Sequence, residues 1–222
     1  MKTGKKKKLD FGHFDYYFIT DRTLSRRNVI EDVEAALKAG VRVVQYREKA
    51  LATAAMIDEA RKIAELCRNR ALFIVNDRLD VALASEADGV HIGPDDIGLE
   101  DARRLLGKGK IIGMSVGSVE EAKRCEEAGA DYVSLSPIFA TPTKKDAGQP
   151  LGIAAIKEAG QKLRIPFTVI GGINQGNLPD ILNAGARSVC MMSAVLRAND
   201  VEAEIRKVRR VINEHAARRG KK

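Results

Sequence analysis

The stretch Ala39-Gly40-Val41-Arg42-Val43-Val44 decides the fold, because it joins a helix end, a turn and an apolar β-strand. Similar stretches are Ala128-Gly129-Ala130-Asp131-Tyr132-Val133 and Ala184-Gly185-Ala186-Arg187-Ser188-Val189, and Glu86-Ala87-Asp88-Gly89-Val90 is a weaker copy. The four copies precede the second, fourth, sixth and eighth strands that the sequence predicts. A βαβα unit used four times predicts an α/β protein with a closed (β/α)8 TIM barrel in a single domain. An open doubly wound sheet also alternates strands and helices and is the alternative.

Short β-rich runs alternate along the whole chain with amphipathic segments, in which apolar residues recur three to four positions apart. The predicted strands are 16–20, 42–47, 72–76, 89–92, 111–115, 132–137, 167–171 and 188–193. The predicted helices include 28–38, 54–69, 119–128, 153–163, 177–184 and 201–216. We expect Asn28 and Ser118 to be N-caps, and Ser118 and Glu121 to form a capping box.

The net charge of +8 is concentrated at the two ends of the 222-residue chain. Five lysines within residues 1–8 and four basic residues within 216–222 supply nine positive charges, so residues 9–215 carry a net charge of −1. We therefore predict a basic tail over residues 1–12, a TIM-barrel catalytic domain over 13–215 and a second basic tail over 216–222. No aromatic residues interleave with the lysine run, so nucleic acid is not an expected partner.

The three cysteines, Cys67, Cys125 and Cys190, lie far apart in apolar surroundings. Their spacing matches neither a disulfide framework nor a zinc site. No apolar stretch is long enough to span a bilayer, and no apolar segment of a signal peptide follows the first lysines. These features predict reduced core thiols in a cytoplasmic protein with no membrane partner, and a homo-oligomer is possible.

Polar and cationic side chains end the second predicted strand. Because side chains alternate between the two faces of a strand, Gln45, Arg47 and Lys49 point one way, and Tyr46 and Glu48 point the other. Burying so many polar and charged groups requires a partner. An anion with many oxygens, such as a diphosphate, is the expected ligand of this strand end.

Carboxylates follow the third and fourth predicted strands, where Asp77 comes after Asn76 and where Asp95 and Asp96 form a pair. The carboxyl ends of barrel strands share one rim, so Asp77 and Asp96 are expected to lie close together and to hold Mg²⁺ against a diphosphate. The alternative is that Asp77 caps the following helix and that one of the pair caps the helix near Leu99.

A second group of anion-binding features follows the sixth, seventh and eighth predicted strands. The loop Thr141-Pro142-Thr143-Lys144-Lys145 carries hydroxyl and ammonium groups, Gly171-Gly172 allows close backbone approach, and Ser193 adds a hydroxyl. This part of a barrel rim commonly binds phosphate. His91, within the fourth strand, is expected to be a hydrogen-bonded structural histidine.

The motifs of the rim, taken together and in order, resemble the thiamine phosphate synthase family from about Tyr17 to Leu196. The matching motifs are Val44-Gln45-Tyr46-Arg47-Glu48-Lys49, Val75-Asn76-Asp77-Arg78, Asp88-Gly89-Val90-His91-Ile92-Gly93, Ser136-Pro137-Ile138-Phe139-Ala140-Thr141-Pro142-Thr143-Lys144, Ile170-Gly171-Gly172-Ile173 and Met192-Ser193-Ala194.

The resemblance implies a transferase that joins hydroxymethylpyrimidine diphosphate to a thiazole monophosphate and releases pyrophosphate. It implies that the C–O bond to diphosphate breaks first and that the thiazole nitrogen captures the resulting cation. The residues implied to bind the diphosphate, or to lie in the strand-end motif that binds it, are Gln45, Tyr46, Arg47, Glu48, Lys49, Asn76 and Lys144. Asp77 and Asp96 are implied to bind Mg²⁺, and Ser115 to contact the pyrimidine. The thiazole phosphate site is implied to be lined by Thr141, Pro142, Thr143, Gly172, Met192 and Ser193. Within these sets, Arg47, Lys49, Lys144 and Ser115 are implied to be catalytic.

The chain departs from the family pattern at three positions. Tyr46 replaces a leucine, Pro94 a glutamine, and Gly117 the histidine of a Ser-x-His pattern. A thiazole tautomerase, which resembles these proteins and relies on that histidine, is one alternative, although glycine cannot transfer a proton. A non-catalytic phosphate-binding barrel with nucleic-acid-contacting tails is the second.

Overall fold

The computed structural model describes residues 14–141, 143 and 148–219. Within these residues, seven parallel strands lie side by side in chain order. The strands are β1 (Tyr17–Ile19), β2 (Val43–Tyr46), β3 (Leu72–Asn76), β4 (Gly89–Ile92), β5 (Ile111–Val116), β6 (Tyr132–Leu135) and β7 (Phe167–Val169). The helices are α1 (Val29–Lys38), α2 (Thr53–Cys67), α3 (Leu79–Ala84), α4 (Leu99–Leu106), α5 (Val119–Glu127), α6 (Gly152–Lys162), α7 (Leu178–Asn183), α8 (Met192–Leu196) and α9 (Val201–Arg219).

The sheet closes into a barrel through Val189, which forms isolated parallel bridges with Tyr16 beside β1 and with Val169 of β7. The Tyr17 amide donates to the Val189 carbonyl at 3.0 Å, which joins the two edges of the sheet. The TIM-barrel prediction is confirmed, and the sequential strand order excludes the doubly wound alternative. The predicted eighth strand, 188–193, is shorter than expected because helix α8 begins at Met192.

The repeated helix ends share one backbone conformation. Gly40, Gly129 and Gly185 follow α1, α5 and α7 with φ angles of 84°, 92° and 110°. In the weaker copy, Glu86 after α3 takes the same place with φ 56°. Each of these residues donates its N–H to the carbonyl three residues earlier. This left-handed conformation favours glycine, so the fourth copy places an unsuitable residue at the helix end.

The helix-end conformation predicts opposite effects for two substitutions. A Cβ at Gly129 would meet no atom within 4 Å, so Gly129→Ala should cost only the backbone strain, about 1–2 kcal/mol. Glu86→Gly should relieve comparable strain and stabilise the protein. Urea denaturation of both variants measures these changes. Equal signs for the two substitutions would contradict the shared conformation.

The barrel has two apolar layers. The interior layer contains Phe14, Tyr17, Val43, Ile74, Ile111, Tyr132 and Cys190. The outer layer packs the other faces of the strands, such as Val44 and Val75, against helix residues such as Val33 and Ile63. Alternate strand residues thus fill the two layers, as expected for parallel strands that are buried on both faces.

The predicted N-caps are confirmed. Asn28 accepts a hydrogen bond from the Glu31 amide, and Ser118 accepts one from the Glu121 amide. The Glu121 carboxylate reaches one residue further than a capping box requires and accepts from the Gly117 amide at 2.7 Å.

The C-terminal helix α9 extends to Arg219, so the predicted domain boundary at residue 215 falls inside a helix. The predicted N-terminal tail lies outside the described residues. Among the residues that are described, no helix is both long and apolar enough to cross a membrane. Cys67, Cys125 and Cys190 are free thiols, and Cys67 and Cys190 are buried.

Candidate active site

A cavity of about 230 Å³ opens at the carboxyl ends of the barrel strands. Every described strand contributes to its lining, either directly or through the loop that follows. The predicted site residues in the lining are Gln45, Arg47, Lys49, Asn76, Asp77, Asp96, Ser115, Thr141, Thr143, Gly172, Met192 and Ser193. Pro142 and Lys144 lie outside the described residues. The structure therefore brings together residues that are as much as 148 positions apart.

The alternation predicted at the end of β2 separates its side chains into two sets. Gln45, Arg47 and Lys49 line the cavity. The Tyr46 side chain lies in the outer layer, where its hydroxyl donates to Glu59 at 2.8 Å. Glu48 is also directed away from the cavity, so neither Tyr46 nor Glu48 is positioned to contact a bound substrate.

Glu48 organises the loop that carries Lys49. One carboxylate oxygen accepts from the amides of Lys49 and Ala50 at 2.9 and 2.7 Å, and the other accepts from Arg22 Nε at 2.7 Å. Burial alone would raise the pKa of Glu48, but the Arg22 hydrogen bond and the backbone amides lower it. Glu48 therefore stays charged and fixes the direction of the strand end.

Arg47 and Lys49, the rim cations of β2 that the structure describes, are both paired with carboxylates. Arg47 donates to the buried Asp21, which also accepts from the amide and hydroxyl of Thr23 at 2.9 and 2.6 Å. Lys49 forms an ion pair with Asp77. An arginine has five N–H donors and a lysine three, so each keeps donors for a further anion.

Asp77 adopts a left-handed backbone with φ 60°, and its amide donates to the His91 carbonyl at 2.8 Å. A non-glycine residue in this conformation is strained, and such strain is common at functional sites. The predicted capping role of Asp77 is wrong, because α3 begins after Arg78 and has no side-chain cap. Its carboxylate instead faces the cavity.

Asp96 lies beside Asp77 and accepts a hydrogen bond from the Gly93 amide at 2.7 Å. Burial raises the pKa of Asp96, and the hydrogen bond and negative charge of Asp77 raise it further. The amide of Gly93 and the charge of Lys49 oppose this shift. Helix α4 has Gly98 at its N-cap and no side-chain cap, so the predicted alternative for Asp95 and Asp96 is also wrong.

The opposite side of the cavity is formed by the ends of β6 and β7 and by α8. Gly171 and Gly172 have φ angles of 103° and 63°. A Cβ at Gly172 would lie 2.6 Å from the Ala140 carbonyl oxygen, so glycine lets the two loops approach. Met192 and Ser193 are the first two residues of α8.

The sequence prediction missed Tyr17, which lines the cavity, and Tyr132, which lies next to Tyr17 in the interior layer of the barrel. Their hydroxyls are 2.6 Å apart. Gln45 Nε2 donates to Tyr17 at 2.9 Å. His91 Nδ1 lies 2.9 Å from the Tyr132 hydroxyl, and His91 Nε2 lies 2.9 Å from Ser115 Oγ. His91 is hydrogen-bonded, as predicted, but it also lines the cavity.

The signal that could have found Tyr132 is a glycine on the neighbouring strand. Gly113 is its partner in the parallel register of β5 and β6. A Cβ at Gly113 would lie 2.0 Å from Tyr132 Cζ. Only glycine at this position leaves space for the tyrosine ring inside the barrel.

The sequence and the fold of this chain are similar to those of known proteins. The sequence model of the family described as thiamine monophosphate synthase matches residues 16–195. The chain belongs to the thiamine monophosphate synthase family. The matched range includes every predicted site residue of the rim and excludes both basic ends.

Relatives within the thiamine monophosphate synthase family align over most of the chain. A thiamine-phosphate synthase of Methanosarcina barkeri is 50% identical over 190 residues, which cover 86% of each chain. That of Methanosarcina mazei is 47% identical over 200 residues, covering 90% of this chain and 83% of the relative. The solved thiamine phosphate pyrophosphorylase from Pyrococcus furiosus superposes with a TM-score of 0.85 at 36% identity, covering 92% of this chain and 98% of the other.

Besides Tyr46, which lies in the outer layer, the structure locates the other two departures from the pattern expected for thiamine monophosphate synthases. Pro94 lines the cavity next to Asp95 and Asp96. Gly117 follows β5, outside the lining residues of the described cavity. Its amide is bonded to Glu121, so this position supports helix α5.

Proposed function

We propose that this protein makes thiamine phosphate by joining hydroxymethylpyrimidine diphosphate to a thiazole monophosphate, with release of pyrophosphate. The observation that carries the proposal is the division of one cavity into two parts. Arg47, Lys49 and two carboxylates lie on one side, and hydroxyls and close-packed glycines lie on the other. Family membership and the relatives named above support the same activity.

The diphosphate half would act on the leaving group. Arg47 and Lys49 would place positive charge where negative charge develops as the C–O bond breaks, and Asn76 would add an amide donor. Asp21 holds the Arg47 side chain, and Glu48 fixes the backbone at Lys49, before the substrate arrives. We propose that Lys144, in the loop between β6 and α6, adds a third cation.

Mg²⁺ fits the donor set of Asp77 and Asp96. Two adjacent carboxylates supply hard oxygen ligands, and burial together with the neighbouring Asp77 raises the pKa of Asp96, so a cation at this place would stabilise its charged form. No group of three metal-binding side chains occurs in the described part of the chain, so substrate oxygens and water would complete the coordination. When bound, the ion would supply positive charge beside the diphosphate.

The other half would position the second substrate. Thr141, Thr143 and Ser193 would donate hydroxyl hydrogen bonds to the thiazole phosphate, while Gly172 would allow its close approach and Met192 would contact the ring. Ser115, at the end of β5, would contact the pyrimidine between the two halves. Holding both substrates in one cavity aligns the thiazole nitrogen with the reacting carbon.

The tautomerase alternative lacks its proton-transferring residue at Gly117. The alternative of a non-catalytic barrel is disfavoured by the intact set of cations and carboxylates around the cavity. The free thiols further support a reducing compartment such as the cytoplasm.

The direct test mixes purified protein with Mg²⁺ and both substrates. We expect thiamine phosphate and pyrophosphate in equal amounts, detected by chromatography of the product and by a coupled pyrophosphate assay. Omitting either substrate or adding a chelator is the control. Failure to form thiamine phosphate with any divalent metal would contradict the proposed function.

A further inference from the structure

A continuous chain of buried hydrogen bonds runs through the barrel interior next to the cavity, from Gln45 on β2 to Ser115 on β5. It begins at Gln45 and passes through Tyr17, Tyr132 and His91 to Ser115, with successive distances of 2.9, 2.6, 2.9 and 2.9 Å. Gln45, Tyr17, Tyr132 and His91 are each at most 6% exposed. Only Ser115, at the far end, is half-buried.

We propose that Gln45, Tyr17, Tyr132 and His91 form a directional chain that makes the Ser115 hydroxyl a hydrogen-bond donor toward the cavity. The direction starts at Gln45, because its amide nitrogen is a donor only. Tyr17 accepts from Gln45 and passes its own proton to Tyr132. Tyr132 then donates to His91 Nδ1, and His91 carries its proton on Nε2 and donates it to Ser115.

One proton serves each contact in this orientation. If His91 instead donated from Nδ1 to Tyr132, one of the two tyrosine oxygens would receive protons from both of its neighbours in the chain. Its own proton would then have no acceptor within the chain. Burial raises the pKa of both tyrosines, so their hydroxyls remain protonated donors at neutral pH.

A donor hydroxyl at Ser115 would contribute to substrate specificity, an inference that rests on the proposed function. A donor at Ser115 favours a substrate ring that presents a hydrogen-bond acceptor, such as a ring nitrogen of a pyrimidine. A ring with an N–H at the same place could use only the second lone pair of the hydroxyl, would leave the Ser115 proton without its acceptor, and would therefore bind less tightly. Tyr17, Tyr132 and His91 are thus positioning residues that act through Ser115.

The tautomer of His91 tests the direction without any substrate. The full chain has three histidines, so a long-range ¹H–¹⁵N correlation spectrum is simple, and the spectrum of His91→Asn assigns the signal. We expect a neutral ring protonated on Nε2 at neutral pH. A proton on Nδ1, or on both nitrogens, would overturn the proposal.

Cutting the chain gives the second test. Tyr132→Phe keeps the ring but removes the donor to Nδ1, so the preference for the Nε2 proton should weaken and a mixture of tautomers should appear. Tyr16→Phe is the matched control, because its buried hydroxyl donates to the Met191 carbonyl at 3.2 Å and not to the chain. An unchanged His91 spectrum in Tyr132→Phe would overturn the proposal.

Kinetics separate this inference from the proposed function. In Tyr132→Phe we expect KM for the pyrimidine diphosphate to rise about 2–10-fold, the equivalent of one net hydrogen bond, with KM for the thiazole phosphate unchanged. Equal changes in both values would contradict the specificity role. If the unmodified protein makes no thiamine phosphate, the proposed function fails, while the tautomer measurement still decides the direction of the chain.

Discussion

Replacing Asp77 and Asp96 together by asparagine should lower the rate of thiamine phosphate formation at least about 10²–10³-fold, the loss typical of one strong transition-state contact. The substitution removes two negative charges and keeps the size of both side chains. Asparagine also tolerates the left-handed backbone of Asp77, whose φ is 60°, so the fold should be retained. Steady-state rates at saturating Mg²⁺ measure the effect.

Asp80→Asn is the matched control for that double variant. Asp80 lies three residues from Asp77, and its exposed side chain is paired with Arg78. Its removal should leave the rate near that of the parent, because an exposed ion pair contributes little. Calorimetric titration with Mg²⁺ and pyrophosphate should show binding to the control and none to the double variant. A double variant with a near-normal rate would exclude the proposed metal role.

Gly113→Ala should destabilise the protein by about 1–3 kcal/mol, the usual cost of overpacking a core. The new Cβ would lie 2.0 Å from Tyr132 Cζ and 2.4 Å from its hydroxyl oxygen. The ring would have to leave its place between Tyr17 and His91, so activity should fall as well. The midpoint of urea denaturation measures the change in stability.

Replacing Gly160 by alanine should have the opposite effect on the stability of the protein. Gly160 lies within helix α6, and a Cβ there would meet no atom within 4 Å. Alanine is a better helix former, so Gly160→Ala should stabilise the protein by about 0.5–1 kcal/mol. Equal midpoints for the two variants would contradict the packing of Tyr132 against β5.

The barrel was predictable because its repeat is local. Each copy contains a helix end, a left-handed residue and an apolar run, and these features depend on neighbouring residues only. The short helices α3 and α4, with six and eight residues, were expected after the third and fourth strands, but so few turns show too little periodicity to predict where each helix begins and ends. The eighth strand was overestimated because an apolar run such as Val189–Met192 does not reveal where a helix takes over.

The polar rim was predictable for a different reason. On β2, charged residues alternate with others, so the phase of the strand is visible in the sequence. On β6, Tyr132 and Val133 are both apolar in character, and a strand buried on both faces does not show which side chain enters the barrel. The pairing of Tyr132 with Gly113 depends on the register between strands, which one sequence does not state.

The ion pair between Lys49 and Asp77 links the affinities of two ligands. A cation that binds Asp77 would free Lys49 from the ion pair, and an anion that binds Lys49 would free Asp77. Each ligand thereby removes a competitor of the other, and linkage requires the two effects to be equal. Magnesium and diphosphate would therefore bind with positive cooperativity, and the apparent dissociation constant of either would fall as the concentration of the other rises.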